Sequence, residues 1–306
     1  KMRKNSIEFF HIPFFSCKIN FNTIFIGLFT DIGYTKEMKK FFYTLWVCLY
    51  PIIIYSAVQF MIMTVAIFAF MVSGETDYHK LMDLVIPYTL PLTAVSAVIT
   101  FVPMILFYYF DKKKGRGFIE SNAKPLDFLM AALGGAGIAI VLNVIIGISG
   151  LANLDTSFME VSEAISSPPF PVILLCAGVI APIIEELIFR GLVFNRIKYN
   201  YNAVAAIIIS AIVFGIYHGN LTQGVYATLL GLCLAYVYNK TGNLLVPICI
   251  HISANVIVNF YGKLSEDFDT VTKFLESAAI FMGVLLLCLI FAIIGIIYFI
   301  RRKVKQ

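Results

Sequence analysis

An all-α, polytopic membrane protein with about eight transmembrane helices follows from three features of this sequence. Of its 306 residues, 60% are apolar or aromatic and only 13% are charged, with a mean hydropathy of +0.88. A soluble domain holds about 45–50% apolar and about 25% charged residues. The apolar residues also fall into runs close to the roughly 20 residues that a helix needs to cross a bilayer. Finally, the basic residues gather at the ends of those runs and alternate between them. A soluble enzyme, a disordered chain and a secreted disulfide scaffold are excluded by this composition. The net charge of +5 therefore reads as membrane orientation rather than nucleic-acid binding.

Eight runs qualify, near 41–73, 85–110, 128–150, 169–194, 203–218, 221–238, 244–261 and 277–300. The first exceeds the needed length, so it is expected to tilt or to start at the interface. The fifth and sixth are short, and only Gly219 and Asn220 separate them. Residues 1–40 carry aromatic patches broken by polar residues, including Phe9, Phe10, Phe14, Phe15 and Phe21. That pattern suits a cytoplasmic, interfacial segment. No cleavable signal peptide is expected there, because no uninterrupted apolar region leads to a small-residue site. The connections near 111–127, 151–168 and 262–276 read as loops, and 301–306 as a basic cytoplasmic tail. Residues 41–300 read as a single transmembrane domain. The six cysteines lack CxxC spacing and five lie inside apolar runs, which fits small buried hydrophobes rather than disulfides or zinc thiolates.

Orientation follows from the basic residues. With the N-terminus in the cytoplasm, 19 of the 23 Lys and Arg fall inside, three (Lys80, Lys263, Lys273) fall outside, and Arg190 lies within a span. This is the asymmetry of the positive-inside rule, and it puts both termini in the cytoplasm.

Ionisable groups inside a bilayer are costly and mark function or a buried pair. The eight runs hold five of them: Glu185, Glu186, Arg190, His218 and His251. Glu186 and Arg190 are four apart, the favourable spacing and order for a helical ion pair. Glu185 lies about 140° around the helix from Arg190, at about 100° per residue, so it is left to point elsewhere. An unpaired carboxylate in a low dielectric suits general acid–base chemistry. The alternative is a structural network in which Arg190 ties both acids to neighbouring helices. Phe214 and His218 share one helix face, and so do His251 and Asn255. Taken singly, these are compatible with packing or interhelical hydrogen bonds. Together, a carboxylate, two imidazoles and a carboxamide can activate water and stabilise an oxyanion, which fits hydrolysis.

The arrangement Glu185-Glu186-x-x-x-Arg190, Phe214-x-x-x-His218 and His251-x-x-x-Asn255 resembles the three motifs of the CAAX-protease and bacteriocin-processing (Abi) family of intramembrane glutamic endopeptidases. The family includes the Ras-converting prenyl-protein endopeptidases. The motifs stand in the family's order, on consecutive runs, and the resemblance covers about 169–260. It implies a metal-independent protease without a cofactor. By position, Glu185 would be the general base and His218 would help hold the attacking water. His251 and Asn255 would stabilise the oxyanion. Glu186 and Arg190 would be structural partners, and Phe214 would be packing.

The expectation is thus an intramembrane endopeptidase acting on a hydrophobic, membrane-associated or lipidated peptide. One alternative is a zinc-dependent membrane protease, since a Glu and two His can ligate zinc; no HExxH pattern is present, and Asn255 is a poor ligand. Another is a non-catalytic scaffold or immunity protein that keeps the motifs. A proton-relaying transporter is disfavoured by the absence of repeats and broken-helix pairs. The expected partners are the peptide substrate and the lipid bilayer, with no nucleic acid. Richness in Ile, Phe, Lys, Asn and Tyr points to an AT-rich genome and a bacterial plasma membrane, or the endoplasmic reticulum in a eukaryote.

Overall fold

The computed structural model of the chain describes residues 35–267 and 278–303. Most of the interfacial N-terminal segment and the last residues of the basic tail lie outside them. All regular structure among the described residues is helical. In order, the helices are α1 (Lys36–Val72), α2 (Tyr78–Lys113), α3 (Pro125–Ser149), α4 (Leu151–Leu154), α5 (Thr156–Ser166), α6 (Phe170–Asn200), α7 (Ala203–Tyr217), α8 (Leu221–Thr241), α9 (Leu245–Asp267) and α10 (Ala278–Arg301).

Each of the eight apolar runs coincides with one of the long helices or with α7. Among the described residues, seven helices are long and apolar enough to cross a membrane, and the chain is a multi-pass membrane protein. The exception is α7, whose 15 residues span about 22 Å at 1.5 Å per residue, short of a hydrocarbon core of about 30 Å. The structure corrects one expectation, because the 151–168 connection is not a plain loop. It contains α4 and α5, and Asp155 caps α5 by accepting from the Phe158 amide at 3.1 Å. Ile165 of α5 packs on a small core of Leu90, Ala94, Ile173 and Cys176. Such a short amphipathic helix carries little periodic signal of its own.

The chain divides into two compact units between Trp46 and Val47, within α1. In the first, Thr44 Oγ1 donates to the Lys40 carbonyl at 2.8 Å. In the second, α3 packs against both α9 and α10, and α7 packs against α8. Without a hydrophobic drive between helices in lipid, close backbone approach supplies the packing energy. At Gly135 a side chain would sit 2.5 Å from the Ile250 carbonyl oxygen of α9, so only glycine permits this approach.

The polar connections after α2, α6 and α8 converge with the end of α10. Arg196 binds Asp111 at 2.7 Å and Tyr50 Oη at 2.6 Å, and also reaches the Val47 carbonyl. The Asn122 amide donates to the Thr241 carbonyl at 2.9 Å, and Arg302 binds Asp127 at 2.8 Å. These segments share one end of the bundle.

Candidate active site

Helix α6 departs twice from α-helical winding. An α-helical turn, Ala181–Glu186, sits between π-helical stretches at Leu174–Ile180 and Leu187–Phe194. Such stretches break the usual ladder and occur often at functional sites. Here carbonyls within them accept side chains. Ala177 O accepts from Asn255 Nδ2 at 2.9 Å, and Gly191 O accepts from Asn195 Nδ2 at 2.9 Å.

The expected pairing within α6 is present. Arg190 Nη1 donates to Glu186 Oε1 at 2.8 Å, with both side chains 0% exposed. Arg190 Nη2 donates to the Gly231 carbonyl of α8 at 3.0 Å, and the guanidinium lies 4.6 Å from the centre of the Phe214 ring. Gly231 serves twice: its carbonyl accepts, and a side chain there would lie 3.1 Å from Nη2. Phe214 is therefore more than packing, because its face meets the cation directly.

His251 of α9 joins the two acids. Its Nδ1 lies 2.9 Å from Glu186 Oε1 and its Nε2 lies 3.7 Å from Glu185 Oε2. Glu186 Oε1 also accepts from Arg190, so it acts as a carboxylate oxygen, and Nδ1 carries the His251 proton that points to it. Nε2 is left facing Glu185. The exposures separate the two acids, since the Glu185 side chain is 13% exposed and that of Glu186 is 0%.

His218 lies just past the end of α7. Its Nδ1 is 2.8 Å from the Phe214 carbonyl. A carbonyl only accepts, so Nδ1–H donates and Nε2 of the neutral ring keeps a lone pair. The ring meets Phe214 edge-on at 4.8 Å, and Phe214 meets His251 edge-on at 5.6 Å. One aromatic ring thus separates the two imidazoles. Glu185, His218 and Asn255 are half-buried, whereas Glu186, Arg190, Phe214 and His251 are buried. The site has a compensated interior and a more accessible margin.

Several neighbours were not singled out from the sequence. Tyr55 of α1 stacks on Tyr217 with centroids 6.0 Å apart, and Tyr217 Oη bonds Gln59 Oε1 at 3.3 Å. Glu185 is within electrostatic reach of both tyrosines. The available signal was Tyr55 and Gln59, two polar residues four apart in an apolar run. Among the described residues, no group of three or more His, Cys, Asp or Glu side chains is arranged to hold a metal ion.

Residues 167–257 match the family model of type II CAAX prenyl endopeptidase Rce1-like proteins. The matched segment contains all seven motif residues, so the resemblance to the CAAX-protease family read from them stands over that segment. A Bacillus subtilis (strain 168) protein named "Putative membrane peptidase YdiL" is 29% identical over 114 residues, 37% of this chain and 45% of the relative. A Lactococcus lactis subsp. lactis (strain IL1403) protein named "UPF0177 protein YxdF" is 29% identical over 121 residues, 39% of this chain and 65% of the relative. The chain thus spans about half to two thirds of these relatives. No solved structure matches.

Proposed function

We propose that the chain is an intramembrane endopeptidase that hydrolyses a hydrophobic, membrane-associated or lipidated peptide with a glutamate-activated water and no metal. The observation that carries this reading is the unequal environment of the adjacent acids. Glu186 is spent on Arg190 and His251, whereas Glu185 is partly exposed and faces His251 Nε2 at 3.7 Å. Two carboxylates in different surroundings take different roles.

Glu185 takes a proton from water while the Nε2 lone pair of His218 accepts the water's other hydrogen. The hydroxide attacks the peptide carbonyl. Asn255, anchored on Ala177, turns its remaining Nδ2–H toward the oxyanion, and His251 adds a second donor when Nε2 is protonated. Glu185 then returns the proton to the leaving amine. Arg190 and Glu186 hold His251, and through it Glu185, in place. The Rce1-like match and the membrane-peptidase relative support the reaction class.

Comparing the secreted and membrane peptides of a wild-type strain with those of a Glu185→Ala strain tests this reading. A substrate that accumulates uncleaved only in the variant supports it. Identical peptide profiles, together with no cleavage by purified wild-type protein in liposomes, would favour a non-catalytic scaffold.

A further inference from the structure

A second site lies away from the motif residues, where the end of α10 meets the start of α3. A cleft of about 690 Å³ is lined there by Asn122, Lys124, Ile294, Ile297, Tyr298 and the basic run Arg301 to Lys303. We propose that this cleft binds the phosphate headgroup of an anionic phospholipid, with the first part of an acyl chain lying along α10.

The charges at the cleft divide into two sets. Arg302 is spent on structure: it binds Asp127 at 2.8 Å and the Asn122 side chain at 3.0 Å, and Tyr298 Oη donates to the same Asp127 oxygen at 2.7 Å. Lys124, Arg301 and Lys303 are exposed at the cleft; the Lys124 backbone amide donates to Asp127, but among the described residues no ion pair engages the three charged side chains. Three cations around one cleft make a site for an anion, and arginine adds a fork that fits phosphate oxygens.

The walls select a lipid over a soluble anion. Ile294, Ile297, Tyr298 and Arg301 stand at i, i+3, i+4 and i+7, which is one face of α10. Ile294 and Ile297 are 46% and 42% exposed. The stripe is apolar toward the membrane interior and basic at the helix end. Ile294 lies about 10 Å below Arg301 at 1.5 Å per residue, a depth that belongs to acyl chains. A basic cleft between membrane helices is a known form of headgroup site. An acidic protein segment would meet the same cations but has no use for the isoleucine stripe.

The full-length protein in detergent, titrated with phosphatidylglycerol, phosphatidylcholine or inorganic phosphate, tests the assignment by native mass spectrometry and melting temperature. Phosphatidylglycerol should stay bound and raise Tm; phosphatidylcholine and phosphate should do neither. Each basic residue near an anionic surface contributes about 1 kcal/mol, or about fivefold in affinity. Replacing Lys124, Arg301 and Lys303 together with Gln should therefore weaken phosphatidylglycerol binding by about 100-fold. Replacing Lys112, Lys113 and Lys114 with Gln controls for surface charge and should leave binding within about twofold. Equal loss in both triple variants, equal retention of phosphatidylcholine, or a Tm rise with phosphate alone would overturn the proposal. Binding lost to an acidic peptide competitor that itself raises Tm would do so too.

Discussion

His251 rests on Glu186, with its Nδ1 2.9 Å from the same carboxylate oxygen that accepts Arg190 at 2.8 Å. One buried oxygen thus serves a guanidinium on its own helix and an imidazole on another. The consequence lies at the opposite side of the ring, because fixing Nδ1 fixes where Nε2 points, and it points to Glu185. The acid without a cation of its own is therefore oriented by the acid that has one.

Glu185→Gln should abolish hydrolysis and leave the fold intact, because it conserves shape and removes the base. Loss of a general base typically costs about 10²–10⁴-fold in rate. Turnover in liposomes together with Tm reads this, and wild-type turnover would end the assignment.

Arg190→Ala should act first on stability. It leaves Glu186 buried without its guanidinium, and breaking a buried pair costs about 3–5 kcal/mol. Replacing both residues, Glu186→Gln with Arg190→Met, should recover most of that loss in chemical denaturation. It should not recover activity, because His251 loses its anionic anchor. An Arg190→Ala protein of normal stability would refute the pairing argument.

Gly135→Ala tests helix approach. The added methyl would lie 2.5 Å from the Ile250 carbonyl oxygen and 2.9 Å from its Cα. Overpacking of this kind costs about 1–3 kcal/mol. Since Ile250 precedes His251, turnover should fall along with Tm. An unchanged Tm would show that α3 and α9 do not pack this closely.

Asp155 carries a pH prediction. It accepts from the Thr222 amide at 2.8 Å and Thr222 Oγ1 at 2.9 Å, beyond its cap on Phe158. These bonds, first among them the Thr222 amide, hold its carboxyl below the ordinary value of 3.8. A depressed acid contributes stability that is complete above its unfolded pKa and is lost as pH falls through its folded pKa. Wild type should thus exceed Asp155→Asn in Tm at neutral pH, and the gap should close only below about pH 4. A gap that closed near neutrality, or no gap at all, would rule out the linkage.

The choice between glutamate and zinc chemistry rests on chelation. Activity should persist after dialysis against a strong chelator, and Asn255→Ala should lower turnover by about 10²–10³-fold, as for an oxyanion donor. Stoichiometric zinc in the purified protein, lost in His218→Ala, would overturn the glutamate mechanism.

The sequence by itself determined the long apolar helices and the Glu186–Arg190 ion pair. Apolar runs of spanning length leave backbone groups no partner but their own helix, so composition dictates where the long apolar helices lie, though not the short α4 and α5. The Glu186–Arg190 pair is a local matter of four residues on one helix and was legible for the same reason. What joins different helices was not. That Gly231 supplies Arg190's second acceptor, that Phe214 stands between two imidazoles, and that His251 spans both acids all depend on helix rotation and depth. The π-helical stretches of α6 escaped for a related reason: the residue pattern of Leu174–Ile180 and of Leu187–Phe194, Arg190 included, suits α-helical and π-helical winding alike. Asn255 of α9 takes up the Ala177 carbonyl only once the helices have packed, whereas Asn195 takes up the Gly191 carbonyl within α6 itself.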